Sequence, residues 1–151
     1  MRLSICAVVL ALIALAPPLA AGPKEAVAAY EAGNYAQALR EFEAMAQSGN
    51  PAAQNNLAVM YANGQGTPVD HSRALDWYRR AAEQGLPVAQ YNLGTYYEEG
   101  KGTAADAVTA VVWYRMAARQ GDVLAQYRLG QFLSQGQFVE RDVRQAYMWL
   151  S

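Results

Sequence analysis

The chain holds one cysteine and one histidine in 151 residues. Cys6 lies inside the apolar run Leu3 to Ala16, and the sequence beyond it has no cysteine at all. That excludes a disulfide framework, a thiol nucleophile and a cysteine-based zinc site for the rest of the chain. His71 stands alone just after Asp70, in the first turn of an expected helix, and reads as a surface residue rather than a general base. Charge of one sign is also missing. Twelve basic residues against 13 acidic ones give a net charge of −1, too little to draw the chain to nucleic acid or to anionic lipid. No stretch shows the strict alternation of a strand, so no glycine-rich phosphate loop can follow one. Gly100-Lys101-Gly102 is a loop between helices. Glu98-Glu99 with Asp106 could be drawn as an acidic pair, but Ala62-Asn63 occupy the Glu positions one unit earlier, and the pair reads as a solvated helix end. No catalytic, cofactor or metal residues are assigned, and the chain is read as not an enzyme.

A long apolar run is the next absence. A spanning helix needs about 20 apolar residues, and the run from Leu3 is cut short by Pro17-Pro18. Met1-Arg2, the apolar core and the small-residue exit Leu19-Ala20-Ala21-Gly22 describe a secretory signal over residues 1–22. The cut falls between Ala20 and Gly22, with the bond itself open. A lipoprotein would need a cysteine just after the run, and none is there. Removing Arg2 leaves 11 basic and 13 acidic residues, a charge of −2. The expected location is the periplasm, with no membrane contact after cleavage.

What the chain has in place of these features is repetition. AQNNLAVMYANGQG from Ala53, AQYNLGTYYEEGKG from Ala89 and AQYRLGQFLSQGQF from Ala125 are spaced by 36 residues both times. Leu57, Leu93 and Leu129 align in this register. So do Gly64, Gly100 and Gly136; Asp70, Asp106 and Asp142; Ala74, Ala110 and Ala146; and Trp77, Trp113 and Trp149. Ala81-Ala82 and Gln84-Gly85 recur as Ala117-Ala118 and Gln120-Gly121. A fixed period of this size marks a stack of small units, none able to bury its apolar face alone. Each unit reads as two helices. Ala74, Trp77, Tyr78, Ala81 and Ala82 form one stripe of the second helix, and Ala89, Leu93, Tyr96 and Tyr97 mark the first. Asp70, Asp106 and Asp142 are N-cap candidates, with Gln145 placed for a capping-box variant, and Asn50-Pro51 fits a cap followed by proline. Leu86 stands at the cap position of Asn50 and Asp122 and cannot cap. Gly85 and Gly121 suit a C′ position. Gly64, Gly66, Gly100 and Gly102 free the loop for positive φ, and Phe138 replaces the last of them in the third unit. Gly94 and Gly130 let helix axes approach. The recurring Trp and Tyr rings are expected to fill the grooves between units as a ladder of core contacts.

The patterns A-x-x-x-L-G, Y-x-x-G-x-G, A-x-x-W-Y and A-A-x-Q-G, at these distances, resemble the Sel-1-like repeat family, a branch of the tetratricopeptide-repeat superfamily. The resemblance covers Ala53 to Ser151. It divides the chain into units at 53–88, 89–124 and an incomplete 125–151. Residues 23–52 precede them as a tetratricopeptide-like capping hairpin, in which Ala38, Phe42, Ala46 and Gly49 line up with Ala74, Tyr78, Ala82 and Gly85, and Glu41 takes the Trp position. The third unit stops at Trp149-Leu150-Ser151, before the A-A-x-Q-G close, as a fragment of a longer product would, or as a fraying last helix would. The family implies an all-α fold, an α-solenoid whose first helices line a concave face.

The same resemblance implies a non-enzymatic interaction module that takes a partner protein or extended peptide on that face. The candidate columns are Asn55, Tyr91 and Tyr127; Asn56, Asn92 and Arg128; and Thr95 and Gln131. The Asn side chains would bond a peptide backbone, and Arg128 would pair with a carboxylate. Tyr91 and Tyr127 either face the groove or pack within the array. Relatives serve as adaptors in envelope signalling, polysaccharide export and host contact. Cysteine-rich members have been assigned β-lactam binding or hydrolysis, but they carry a cysteine pair per repeat that this chain lacks; nitrocefin turnover discriminates. A purely structural segment of a longer scaffold is the other alternative.

Overall fold

The computed structural model describes residues 24–136 and 140–150. The signal segment, Phe138 and Ser151 lie outside the described residues. Eight helices follow in chain order: α1 Lys24–Glu31, α2 Tyr35–Gln47, α3 Pro51–Asn63, α4 His71–Glu83, α5 Pro87–Glu99, α6 Ala107–Arg119, α7 Val123–Gln135 and α8 Val143–Leu150. No strand occurs among the described residues. Each helix packs on its neighbours in the chain, so the hairpins stack as an α-solenoid.

The caps follow the sequence. Asp70 accepts from the Arg73 amide, Asp106 from Thr109, Asp142 from Gln145, Asn50 from Ala53 and Asp122 from Ala125, all at 2.8–3.0 Å. Leu86 makes no side-chain cap, and Pro87 in the first turn of α5 removes one amide that would need a partner. At the other end of the first helices, Gly64, Gly100 and Gly136 are left-handed, with φ between 65° and 68°. The backbone amides of Asp70, Asp106 and Asp142 donate to Tyr61, Tyr97 and Leu133, which fixes how each hairpin closes.

The repeated glutamines have a structural task. Gln54, Gln90 and Gln126 each donate to the carbonyl eight residues back, at Ala46, Ala82 and Ala118, at 3.1–3.2 Å. Those carbonyls lie at the ends of the second helices, where each also accepts the backbone amide of Gly49, Gly85 or Gly121 at 2.9–3.1 Å, so the glutamine supplies a second bond. Gln84 and Gln120 in turn donate to Gln54 and Gln90 at 2.7 and 2.8 Å. A buried amide thus ties the end of each hairpin to the start of the next.

The ring ladder differs from the expected one by one residue. Trp77, Trp113 and Trp149 are only half-buried at the edge of the core. The rings that are fully buried are Tyr78 and Tyr114, with Phe42 in register in the first hairpin. They reach across to the next unit: Tyr78 lies edge-on to Tyr96 with centroids 5.0 Å apart, and Tyr114 stacks on Phe132 at 6.2 Å. The physical reason is helical phase. Tyr78 and Tyr114 share the buried stripe with Ala74, Ala81, Ala110 and Ala117, whereas the Trp positions lie a turn-fraction off it toward solvent. Gly94 and Gly130 permit the close packing this requires. A Cβ at Gly94 would stand 2.8 Å from the Tyr114 ring, and one at Gly130 would stand 2.6 Å from Leu150.

The two buried tyrosines are not equivalent. Tyr114 Oη donates to Glu98 at 2.7 Å and lies 3.2 Å from the Thr95 hydroxyl. Tyr78 Oη is buried without a hydrogen-bond partner among the described residues, because Val59 and Ala62 stand where the next unit has Thr95 and Glu98. Tyr114→Phe should therefore cost about 1–2 kcal/mol, and Tyr78→Phe should be neutral or stabilise by about 1 kcal/mol. Urea unfolding of the two variants measures the difference, and equal losses would contradict it.

Candidate functional site

Asn55, Asn56 and Asn92 do not line an open groove. Asn55 and Asn56 are fully buried and Asn92 is 3% exposed. Nine consecutive residues of α3, from Ala53 to Tyr61, are buried, so this helix is enclosed on every side. The Asn92 amide donates to Asn55 Oδ1 at 3.0 Å and joins the first helices of two units. These amides satisfy one another inside the array, where an unpaired one would be costly. The expectation that they bond a partner's backbone is corrected on that ground.

The remaining five residues come together between the second and third units. Tyr91 is half-buried with its ring 5.7 Å from Tyr114. Thr95 donates its hydroxyl to the Tyr91 carbonyl at 3.2 Å and sits beside Tyr114 Oη. Arg128 is paired with Glu98, donates to Gln131 Oε1 at 2.9 Å, and lies over the Phe132 ring at 5.8 Å. Gln131 donates on to the Tyr127 hydroxyl at 3.0 Å. Tyr127 itself is 53% exposed. Glu98, Arg128, Gln131, Phe132 and Gln135 enclose a hollow of about 160 Å³ beside it.

Glu98 belongs to this site, and the sequence reading missed it. It is not a solvated helix end. It is half-buried, accepts from Tyr114, and neutralises Arg128. Burial and the hydrogen bond to the Glu98 carboxylate both push the Tyr114 phenol well above its usual value, so it stays a donor across the working range. One signal for Glu98 was present. Thr95, Glu98 and Arg128 each depart from the residue 36 positions earlier, which is Val59, Ala62 and Asn92 respectively. Departures grouped three residues apart on one helix and joined by an opposite charge one unit on mark a local polar node. His71 also differs from expectation. It is half-buried, with Nδ1 3.2 Å from Tyr96 Oη in the next unit.

Among the described residues no group of three or more His, Cys, Asp or Glu side chains is placed to hold a metal ion. No helix of the described residues is long and apolar enough to cross a membrane.

A stack of 36-residue helical hairpins, tied by buried glutamines and keyed by a tyrosine between units, defines a helical-repeat protein, an α-solenoid. The Sel1 repeat model matches residues 51–86, 87–122 and 123–151, and the chain belongs to the Sel1 repeat family. Its unit boundaries fall two residues before the Ala-Gln register, at the first residue of α3, α5 and α7. The chain is similar to a Sel1 repeat protein from Oxalobacter formigenes, with TM-score 0.80 and 36% identity over 83% of this chain and 51% of that one. It is also similar to c5321, a protective antigen present in uropathogenic Escherichia coli strains that displays an SLR fold, with TM-score 0.74 and 38% identity over 82% of this chain and 29% of that one. The chain thus spans about half the length of the first and under a third of the second. No curated protein matches it. Sel1 repeats are in general protein-interaction modules.

Proposed function

We propose that this chain is a non-catalytic adaptor that holds an extended segment of a partner protein at the junction of its second and third units. One observation carries the reading: the exposed Tyr127 ring stands beside a polar hollow that the fold lines with Glu98, Arg128, Gln131, Phe132 and Gln135. Tyr127 supplies a large amphipathic contact, which is the type of anchor that dominates binding energy. Gln131 offers amide bonding to a peptide backbone. A partner carboxylate would compete with Glu98 for Arg128, which favours a tail with an acidic group at that point. Tyr91 and Thr95 position Tyr114 and Glu98 from behind rather than touch the partner. The leader-like residues 1–22 support export, and with it a partner in the periplasm.

A photo-reactive residue at Tyr127 should capture a discrete partner in intact cells. Capture should fall at least tenfold when Arg128→Ala is added. The same probe at Asp76, on the outer face of α4, should capture nothing in common with it. Identical products from both positions would count against the site. Deletion of residues 1–22 should leave the protein in the cytoplasmic fraction; unchanged fractionation would remove the export part of the reading.

A further inference from the structure

The outer face of α6 carries an apolar stripe at positions that are polar or small in the two preceding second helices, and α8 exposes Val143, Tyr147, Met148 and Leu150 beside it. Val108, Val112 and Met116, at i, i+4 and i+8, are 58%, 54% and 41% exposed. One unit earlier the same positions are Ser72, Asp76 and Arg80, and in the first hairpin Ala36, Arg40 and Ala44. A packing requirement of the repeat would appear in every unit, so the stripe serves something outside the array. It spans about 12 Å of helix. Met148, exposed on α8 at the position of Val112, extends it toward the next unit.

The stripe is its own complement. Val108 and Met116 lie four residues either side of Val112, and Asp106 and Arg119 lie six residues before it and seven after it. Between Ala107 and Arg119 there is no acidic residue; the basic charge, Arg115 and Arg119, is at the C-terminal half, and the acid, Asp106, is at the N-cap. Two such helices laid antiparallel put Val112 against Val112, Val108 against Met116, and Arg119 beside Asp106 of the other copy. Helix dipoles favour the same orientation. A parallel pair would bring the arginines together. An interface in which residue i meets j and j meets i is what a two-fold dimer requires.

We infer that α6 is a self-association surface, and that a second copy of this chain, antiparallel about Val112, covers the stripe. One helix face is far smaller than the roughly 20–30 residues a side of a standard interface, so the dimer is weak and forms at high local concentration. The stripe is on α6 and Tyr127 is on α7, and a dimer that leaves Tyr127 uncovered would present two partner sites at once.

Two measurements on the chain from residue 23 onward, which holds no cysteine, test this. In sedimentation equilibrium the average mass should rise toward twice the monomer as concentration climbs from about 10 µM to about 1 mM, the range expected for so small an interface. Val112→Asp and Arg119→Glu, both at exposed positions, should each weaken that rise at least tenfold with unchanged circular dichroism. Under mild oxidation Val112→Cys should give a disulfide-linked dimer, and Arg40→Cys, on the outer face of α2, should not. Monomer throughout, association indifferent to both substitutions, or equal crosslinking at the two cysteines would overturn the inference. So would a stripe that binds only an acidic helix of another protein or anionic vesicles and no second copy.

Discussion

Replacing Tyr114 by alanine should cost the protein about 3–5 kcal/mol, as expected for truncating a fully buried aromatic, and lower its melting temperature by about 10 °C. The ring is wedged between Tyr91 and Phe132, and its hydroxyl holds Glu98. Removing it opens a cavity on both sides of the junction between the second and third units. It also releases the carboxylate that anchors Arg128. Trp113, its neighbour in sequence and the more conspicuous residue, is half-exposed; Trp113→Ala should cost roughly half as much or less in proportion to the area it buries. In a stacked array the loss is local before it is global, because each unit is stabilised mainly by the next. Hydrogen exchange should therefore quicken over α7 and α8 in Tyr114→Ala while α2 and α3 keep their protection. A uniform rise across the chain, or a larger loss from Trp113→Ala, would contradict this account.

That contrast also shows where the sequence was informative and where it was not. The period, the helix pairs and their caps were legible because each depends on local rules: an Asp before a helix, a glycine after one, an apolar stripe at 3.6-residue spacing. Phe42, Tyr78 and Tyr114 recur in register, yet the adjacent tryptophans drew the eye as core residues. Which of two adjacent aromatics faces inward depends on a rotation of one residue, and the half-buried edge of the stripe tolerates either. The polar columns failed for a different reason. Asn55, Asn56 and Asn92 vary little in character from a surface asparagine, and only the enclosure of α3 by its neighbours decides that they bond each other. Glu98 was hidden by the opposite error. An acidic residue at a helix end reads as solvated until Arg128 and Tyr114 arrive from two other helices, and that meeting is tertiary. Tyr127, Arg128 and Gln131 share one face of α7 at i, i+1 and i+4, and the exposure of Tyr127 beside the half-buried Arg128 and Gln131 is again set by packing rather than by local pattern.

Gly102→Ala should be among the most damaging small substitutions in the chain, at about 2–5 kcal/mol, although it adds a single carbon. Two costs combine. The residue is left-handed, with φ +69°, where a side chain costs about 1–2 kcal/mol. A Cβ there would also stand 2.5 Å from the carbonyl oxygen of His71, at the start of α4 in the preceding unit, and overpacking of this kind adds about 1–3 kcal/mol. Neither side can yield easily, since His71 opens a helix whose cap, Asp70, is bonded to Arg73 and whose ring meets Tyr96. Gly66 repeats the arrangement one unit earlier, with φ +73° and a Cβ that would lie 2.7 Å from the Tyr35 carbonyl. The second glycine of the Y-x-x-G-x-G loop is thus a seat for the previous hairpin, and only the first is a helix terminator. Gly85 and Gly121 provide the control. Their φ values, +89° and +90°, are as unfavourable for alanine, but a Cβ at either would meet nothing within 4 Å. Gly85→Ala and Gly121→Ala should therefore cost only the backbone term of about 1–2 kcal/mol. Urea titrations of the three variants separate the contributions. If all three lose the same stability, the contact between loop and preceding hairpin adds nothing, and the second glycine is needed for its backbone angle alone.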